Sequence, residues 1–154
     1  MKNKGFTLIE LMIVIAIIGI LSGIVMFAAS LYINKAKDSN IKGNLVTLIP
    51  AGEVWYNINQ SIGNTGYEDF CDPDKNTLLK NMINELPLNE IDGCENINRA
   101  CLRCNVAESY DNFNSWVAWV PLFSSQGKSF CVDSRGMRGE FDTNLFTSSS
   151  ILCP

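Results

Sequence analysis

The order of hydrophobic and polar positions divides the chain into three stretches. Residues 11–29, LMIVIAIIGILSGIVMFAA, carry no charge. At 1.5 Å per residue they form a helix of about 28 Å, close to the ~30 Å hydrocarbon core of a bilayer. In lipid a single span is helical, because only a helix satisfies its own backbone polar groups. The pattern then turns amphipathic. Ile41, Leu45, Leu48, Trp55, Ile58 and Ile62 recur at helical steps, and Lys37, Asp38, Lys42, Asn44 and Glu53 take the other side. Gly43, Pro50 and Gly52 interrupt this second half. Proline lacks an N–H and clashes with the carbonyl four residues back, so a kink or short break is expected over 46–49. The cluster Gly63, Asn64 and Gly66 predicts the helix end over 61–66.

The third stretch begins at Tyr67 and reads as a small globular domain. Asp72-Pro73 predicts a helix start, with Asp72 as cap and Pro73 in the first turn. Leu78, Leu79, Met82, Ile83 and Leu86 follow at helical spacing, up to Pro87. Asp92-Gly93-Cys94 is a turn signal, and residues 101–104 read as a polar connection. The period then changes to two. Residues 116–122 alternate as a strand, 124–127 form a hairpin loop, 129–133 return, and 134–136 turn into a third strand over 137–142. On this reading Phe130 and Val132 share one sheet face and Cys131 takes the other. Trp116 and Trp119 also fall on opposite faces, one in the core and the other under the long helix or a neighbouring subunit. A Ser-rich tail, 144–154, is tied down only if Cys153 is bonded. The expected fold is α+β: one long N-terminal helix, half membrane-spanning and half amphipathic, on an antiparallel sheet of about three strands.

Charge gives the span an orientation and an anomaly. Lys2 and Lys4 precede it, and positive charge stays cytoplasmic, so the N-terminus is expected inside and the remainder outside. Glu10 stands at the head of the span, where an acidic side chain is costly and ordinarily has a function and a partner. Between Lys4 and Lys35 there is no basic residue. A cut after Gly5 would create a charged amine at Phe6 that could serve.

The run KGFTLIEL followed by an Ile/Val-rich helix resembles the prepilin leader of type IV pilins and pseudopilins. The resemblance implies that a membrane peptidase removes residues 1–5 after Gly5 and methylates the new N-terminus at Phe6. It also implies that Glu10 is the acid used in assembly. Residues 6–29 are then the transmembrane and filament-core helix, 30–62 its amphipathic continuation, and 63–154 the periplasmic or extracellular pilin-like domain. Two plainer readings stand beside it. One is a secretory signal peptide cut after Ser30, against which the run is long for an h-region and Glu10 awkward. The other is an uncut anchor, which gives Gly5 and Glu10 no role. Gly19 and Gly23 form a G-x-x-x-G that would let two helices approach closely. Many members of the family carry a proline within the span, and this chain has none before Pro50. The segments 116–122 and 130–136 also resemble the C-terminal sheet of pilin-like proteins.

Composition narrows the chemistry. There are 12 basic and 16 acidic residues, a formal charge of −4. Losing Lys2 and Lys4 leaves ten against sixteen, or −6. That argues against general binding of a phosphate backbone, though not against DNA contact at a local site. With no histidine in the chain, Ser-His-Asp and Cys-His catalysis and His-ligated zinc are excluded. Six cysteines (Cys71, Cys94, Cys101, Cys104, Cys131 and Cys153) outside a membrane read as a disulfide framework with 15 pairings open. Cys131 with Cys153 is one plausible pair, leaving the other four to pair among themselves. Cys101-x-x-Cys104 could instead be a redox pair, but it lacks the strand-then-helix setting. A four-cysteine zinc site lacks a second C-x-x-C. Glu68, Asp69, Asp72 and Asp74 read as a solvated loop, with calcium as a lesser alternative.

The residues and the resemblance together point to a structural subunit of a type IV pilus-like filament, with no catalytic site and no cofactor. It would be membrane-inserted first and on the cell surface after assembly. The implied partners are further copies of itself, a prepilin peptidase and methylase, an assembly ATPase and a platform membrane protein. A minor pilin or type II secretion pseudopilin would share every N-terminal feature. A membrane-tethered thiol oxidoreductase would need a free Cys101 or Cys104.

Overall fold

A single helix, α1, runs uninterrupted over Leu8–Ser61 in the computed structural model, which describes residues 6–63, 65–86, 102–107, 113–147 and 149–154. The break expected over 46–49 does not occur. Pro50 sits on the exposed side, while Leu45 and Leu48 before it and Gly52 after it are buried. Packing on both flanks holds the two segments in one helix, at the expense of a single backbone hydrogen bond. The helix ends where the glycine cluster placed its end, with Ile62 as C-cap and Gly63 at φ +84°, a left-handed position that favours glycine.

The buried face of α1 is Asp38, Ile41, Leu45, Leu48, Gly52 and Asn59. This corrects the expected stripe at four residues. Ile58 and Ile62 are exposed, at 54% and 67%. Asn59 takes the inward place because its Nδ2 donates to the carbonyls of Gly66 (3.2 Å) and Glu68 (3.1 Å), tying the helix end to the following loop. Asp38 belongs to the core side. Its carboxylate accepts from the backbone N–H of Phe123 (2.7 Å) and of Ser124 (3.0 Å), and from the Ser124 hydroxyl. A buried carboxylate is tolerated when its lone pairs are filled in this way.

The second helix, α2, spans Thr77–Glu85 and buries Leu79 and Met82. Its cap is Asn76, not Asp72. Asn76 accepts from Leu79 N–H (3.2 Å) and donates to the Phe70 carbonyl (2.7 Å), a double duty no carboxylate can perform. Asp72 instead accepts from Asp74 N–H (3.0 Å) and shapes the turn before the helix.

The sheet has four strands where about three were expected: β1 (Arg103–Val106), β2 (Trp116–Pro121), β3 (Lys128–Asp133) and β4 (Arg138–Asp142), antiparallel in the order β1-β2-β3-β4. The added strand, β1, lies in what read as a polar connection. It is four residues long and pairs Arg103 with Trp119 and Val106 with Trp116. Trp116, Ala118, Val120, Phe130 and Val132 join Ile41, Leu45 and Leu48 of α1 in the main core. Gly52 lets the two layers meet, since a Cβ there would lie 2.7 Å from Nε1 of Trp116.

Val117, Trp119 and Cys131 face the other way, and Cys153, Phe141 and Phe146 cover them. Trp119 stacks on Phe146 at 4.9 Å between centroids. The cover over the second tryptophan is therefore the C-terminal tail, not α1 or a neighbour. With both faces covered, β2 is buried along nearly its whole length.

Candidate functional site

Thr7, just before α1, is its N-cap, with extended backbone at φ −82° and ψ 151°. Its Oγ1 accepts from Glu10 N–H at 3.3 Å. Glu10 reaches back, its Oε2 accepting from Thr7 N–H (2.8 Å) and from the Thr7 hydroxyl (2.7 Å). This reciprocal capping box satisfies donors that a helix start leaves open. Glu10 thus has a partner within the segment, although no basic residue follows Lys4 before Lys35. The signal was present in the sequence as Thr7-x-x-Glu10, read there only as part of a leader. A carboxylate has about four lone-pair positions, so two bonds leave capacity for another donor. Phe6 beside it is 76% exposed. Gly5 lies outside the described residues.

Beyond this cap the apolar half of α1 has no partner among the described residues. Its most hydrophobic window is long and apolar enough to cross a membrane, and none of it is buried. A helix that is apolar all round belongs in lipid or among other helices. Its few polar groups suit such a setting. Ser22 Oγ donates to the Ile18 carbonyl at 2.7 Å and Ser30 Oγ to the Phe27 carbonyl at 3.1 Å, so neither hydroxyl needs water. A Cβ added at Gly19 or Gly23 would meet nothing.

The described cysteines are all in disulfides. Cys71 bonds Cys104, and Cys131 bonds Cys153. Cys94 and Cys101 lie outside the described residues. Cys104 therefore does not form the redox pair with Cys101, and neither Cys71 nor Cys104 is open to zinc. The Cys131–Cys153 bond joins β3 to the tail, and the buried Asp133 reinforces it. Its Oδ2 accepts from Cys153 N–H (3.0 Å) and from Arg135 Nη2 (2.6 Å). Arg135 Nη2 also donates to the Cys153 carbonyl at 3.0 Å.

Two of the loop carboxylates, Asp69 and Asp74, are engaged by lysines, while Glu68 accepts from the Thr65 hydroxyl and Asp72 from Asp74 N–H. Asp69 binds Lys75 at 2.6 Å, which raises the ammonium above its ordinary pKa. Among the described residues no cluster of carboxylates or cysteines is arranged to hold a metal ion. Burial, with the Glu53 carboxylate 3.1 Å from its hydroxyl, pushes Tyr67 up to about 12. That stabilises the phenol and makes no base.

Residues 1–26 match the family described as the prokaryotic N-terminal methylation motif. A type IV major alpha-pilin of Moraxella bovis is 60% identical over 43 residues, 28% of this chain and 27% of that protein. The fimbrial protein Q of the same organism matches to the same extent. The type IV major pilin protein PilA of Myxococcus xanthus is 46% identical over 55 residues, 36% of this chain and 25% of its own length. The chain thus spans about a quarter of the length of the relatives it matches. No solved structure matches. The head of the chain is thus similar to that of type IV pilins, and it leads into an α+β layout of one long helix on an antiparallel sheet.

Proposed function

We propose that this chain is a structural subunit of a type IV pilus-like filament, inserted in a membrane as a precursor, cleaved after Gly5, N-methylated at Phe6 and polymerised through its apolar helix. One observation carries the reading: among the described residues nothing covers the apolar half of α1, and its head holds an acidic residue beside the end that cleavage would create. The capping box serves any helix start, and the filament reading adds a use for the capacity Glu10 keeps for a further donor.

In the precursor, Lys2 and Lys4 keep the N-terminus cytoplasmic and the apolar residues hold the chain in lipid. Cleavage removes those two charges and leaves a charged amine at Phe6. The Thr7 cap holds the Glu10 carboxylate within one helical turn of that end. The amine then becomes a further donor to Glu10, of the same subunit or of a neighbour. In a desolvated bundle of helices an unpaired charge is costly, so the pair fixes axial register. Burial of the apolar helix passes from lipid to partner helices. A prepilin peptidase and methylase, an assembly ATPase and a platform membrane protein are the partners this route requires. The relatives are named as type IV major pilins, and the Cys71–Cys104 bond weighs against a thiol oxidoreductase built on Cys104.

Glu10→Leu tests the mechanism. Membrane insertion should persist, because leucine suits lipid better than glutamate, while the filament recovered should fall by roughly tenfold or more. Filament at the wild-type level would contradict the role given to Glu10.

A further inference from the structure

The connection between the apolar span and the globular domain is stiff. From Ile24 to Lys42 helix α1 contains neither glycine nor proline, and it runs through without a break. The depth of the span in a bilayer therefore fixes the height of whatever the domain packs low on α1. Strand β2 runs down the helix toward the span. Trp116, at its start, lies against Gly52. Phe123 and Ser124, just past its end, are bound by Asp38, and the Phe123 ring centroid lies 5.0 Å from Lys37 Nζ. The β2–β3 hairpin over 124–127 thus points at the apolar half. Asn34 is already half-buried, whereas Leu31, Tyr32 and Ile33 are exposed.

No charge stands between Glu10 and Lys35. With Glu10 at one interface, a hydrocarbon core of ~30 Å takes about 20 residues of helix and ends near Ser30. The headgroup layer adds about 5–7 Å, or some four to five residues, and reaches Lys35. Asp38 stands about 12 Å beyond Ser30. The hairpin residues past Ser124 bring the tip back by about 3–7 Å, to the level of Lys35. Lys35 and Gln126 are both exposed there. The carboxylates of this end are engaged elsewhere, Asp38 by the hairpin, Glu140 by Lys42 (2.6 Å) and Asp142 by Lys128 (2.9 Å). None of the described carboxylates pairs with Lys35. Tyr32, 70% exposed one turn below, has the amphipathic ring that suits a membrane–water boundary.

We propose that in the inserted chain the β2–β3 hairpin and Lys35 rest on the phosphate groups of the outer phospholipid headgroup layer, with the Lys35 ammonium and the Gln126 amide as donors and Tyr32 at the hydrocarbon boundary. The inference rests on the membrane-inserted precursor of the filament reading. It gives the globular domain a seat on the membrane, and the stiff helix then holds Glu10, about 37 Å below Lys35, at the opposite interface.

The test is photo-crosslinking to lipid. p-Benzoylphenylalanine replaces Gln126, Phe27 or Met137, one at a time, in the full chain reconstituted in vesicles of phosphatidylethanolamine and phosphatidylglycerol, and adducts are read by mass spectrometry. Phe27 lies in the span and reports insertion. Met137 lies in the β3–β4 turn beside Trp116, at the level of Gly52 and about 33 Å beyond Ser30, and reports the far end. The expected result is a phospholipid adduct at Gln126 and at Phe27 and none at Met137. No adduct at Gln126 while Phe27 is labelled, or equal adducts at Gln126 and Met137, would overturn the proposal. No adduct at Phe27 would show that the chain is not inserted, and the membrane reading would fail and this contact with it. Lys35→Glu tests the phosphate contact. The side chain is exposed, so folding should survive, while the Gln126 adduct should fall roughly fivefold and the Phe27 adduct stay. An unchanged Gln126 adduct would also overturn the contact.

Discussion

Gly52 sits where the backbone of α1 meets the indole of Trp116, whose Nε1 is buried without a hydrogen-bond partner among the described residues. An added methyl 2.7 Å from that nitrogen must move a ring held on every side. Gly52→Ala should therefore destabilise the domain by about 1–3 kcal/mol, read as a lowered thermal midpoint. Combined with Trp116→Phe the penalty should be less than the sum, because the two share one clash. Asp38 makes a similar point through charge. Asp38→Ala takes the acceptor from the N–H groups of the half-buried Phe123 and the exposed Ser124, at about 1–3 kcal/mol in all, since water can serve Ser124. Its place was not legible in the sequence, where it sat among lysines on an apparent solvent side. The donors it serves arrive from a loop some eighty-five residues later. Tyr67 supplies a pH prediction. Its phenol is held up to about 12 in the folded chain against about 10 when unfolded, so the neutral form is favoured by folding. That stabilisation is complete below pH ~10 and is lost as pH rises toward ~12. Tyrosinate absorbance, followed with unfolding, should show Tyr67 ionising last.

Elements were legible in proportion to how much of their pattern is local. The long helix, its end at the glycine cluster, and the strands β2, β3 and β4 follow from periodicity that lies within each segment. β1 was not legible, because four residues, Arg-Cys-Asn-Val, hold no alternation long enough to read, and the strand exists by pairing with β2. Helix α2 was read with the wrong cap, since Asp72-Pro73 is the stronger local signal and Asn76 wins only through its bond to Phe70. Pro50 misled for the opposite reason. Its local chemistry forecasts a break, and burial of Leu45, Leu48 and Gly52 against one sheet outweighs it. The tail is held as an element by two devices, the Cys131–Cys153 bond and Asp133. Replacing both cysteines with serine removes a cross-link across 22 residues and should cost about 3 kcal/mol in denaturant unfolding. The Asp133 to Cys153 backbone bond should still hold the tail over Trp119, so tryptophan fluorescence of the folded state should change little.

The whole molecule is divided between a half-helix that the described residues leave uncovered and a disulfide-stapled domain that covers both faces of its sheet. In the candidate site, the sequence made Glu10 and the span visible, because composition alone marks them. The cap by Thr7 was within reach, as Thr7-x-x-Glu10 stands in the sequence. The claim that joins the two halves is that the chain matures at Phe6 and polymerises. The measurement that tests it most directly is mass spectrometry, without reduction, of filaments sheared from the cell surface. The account predicts that this chain is the main component, begins at a methylated Phe6, and carries no free thiol. Its presence only in membranes, still beginning before Gly5, would contradict the account.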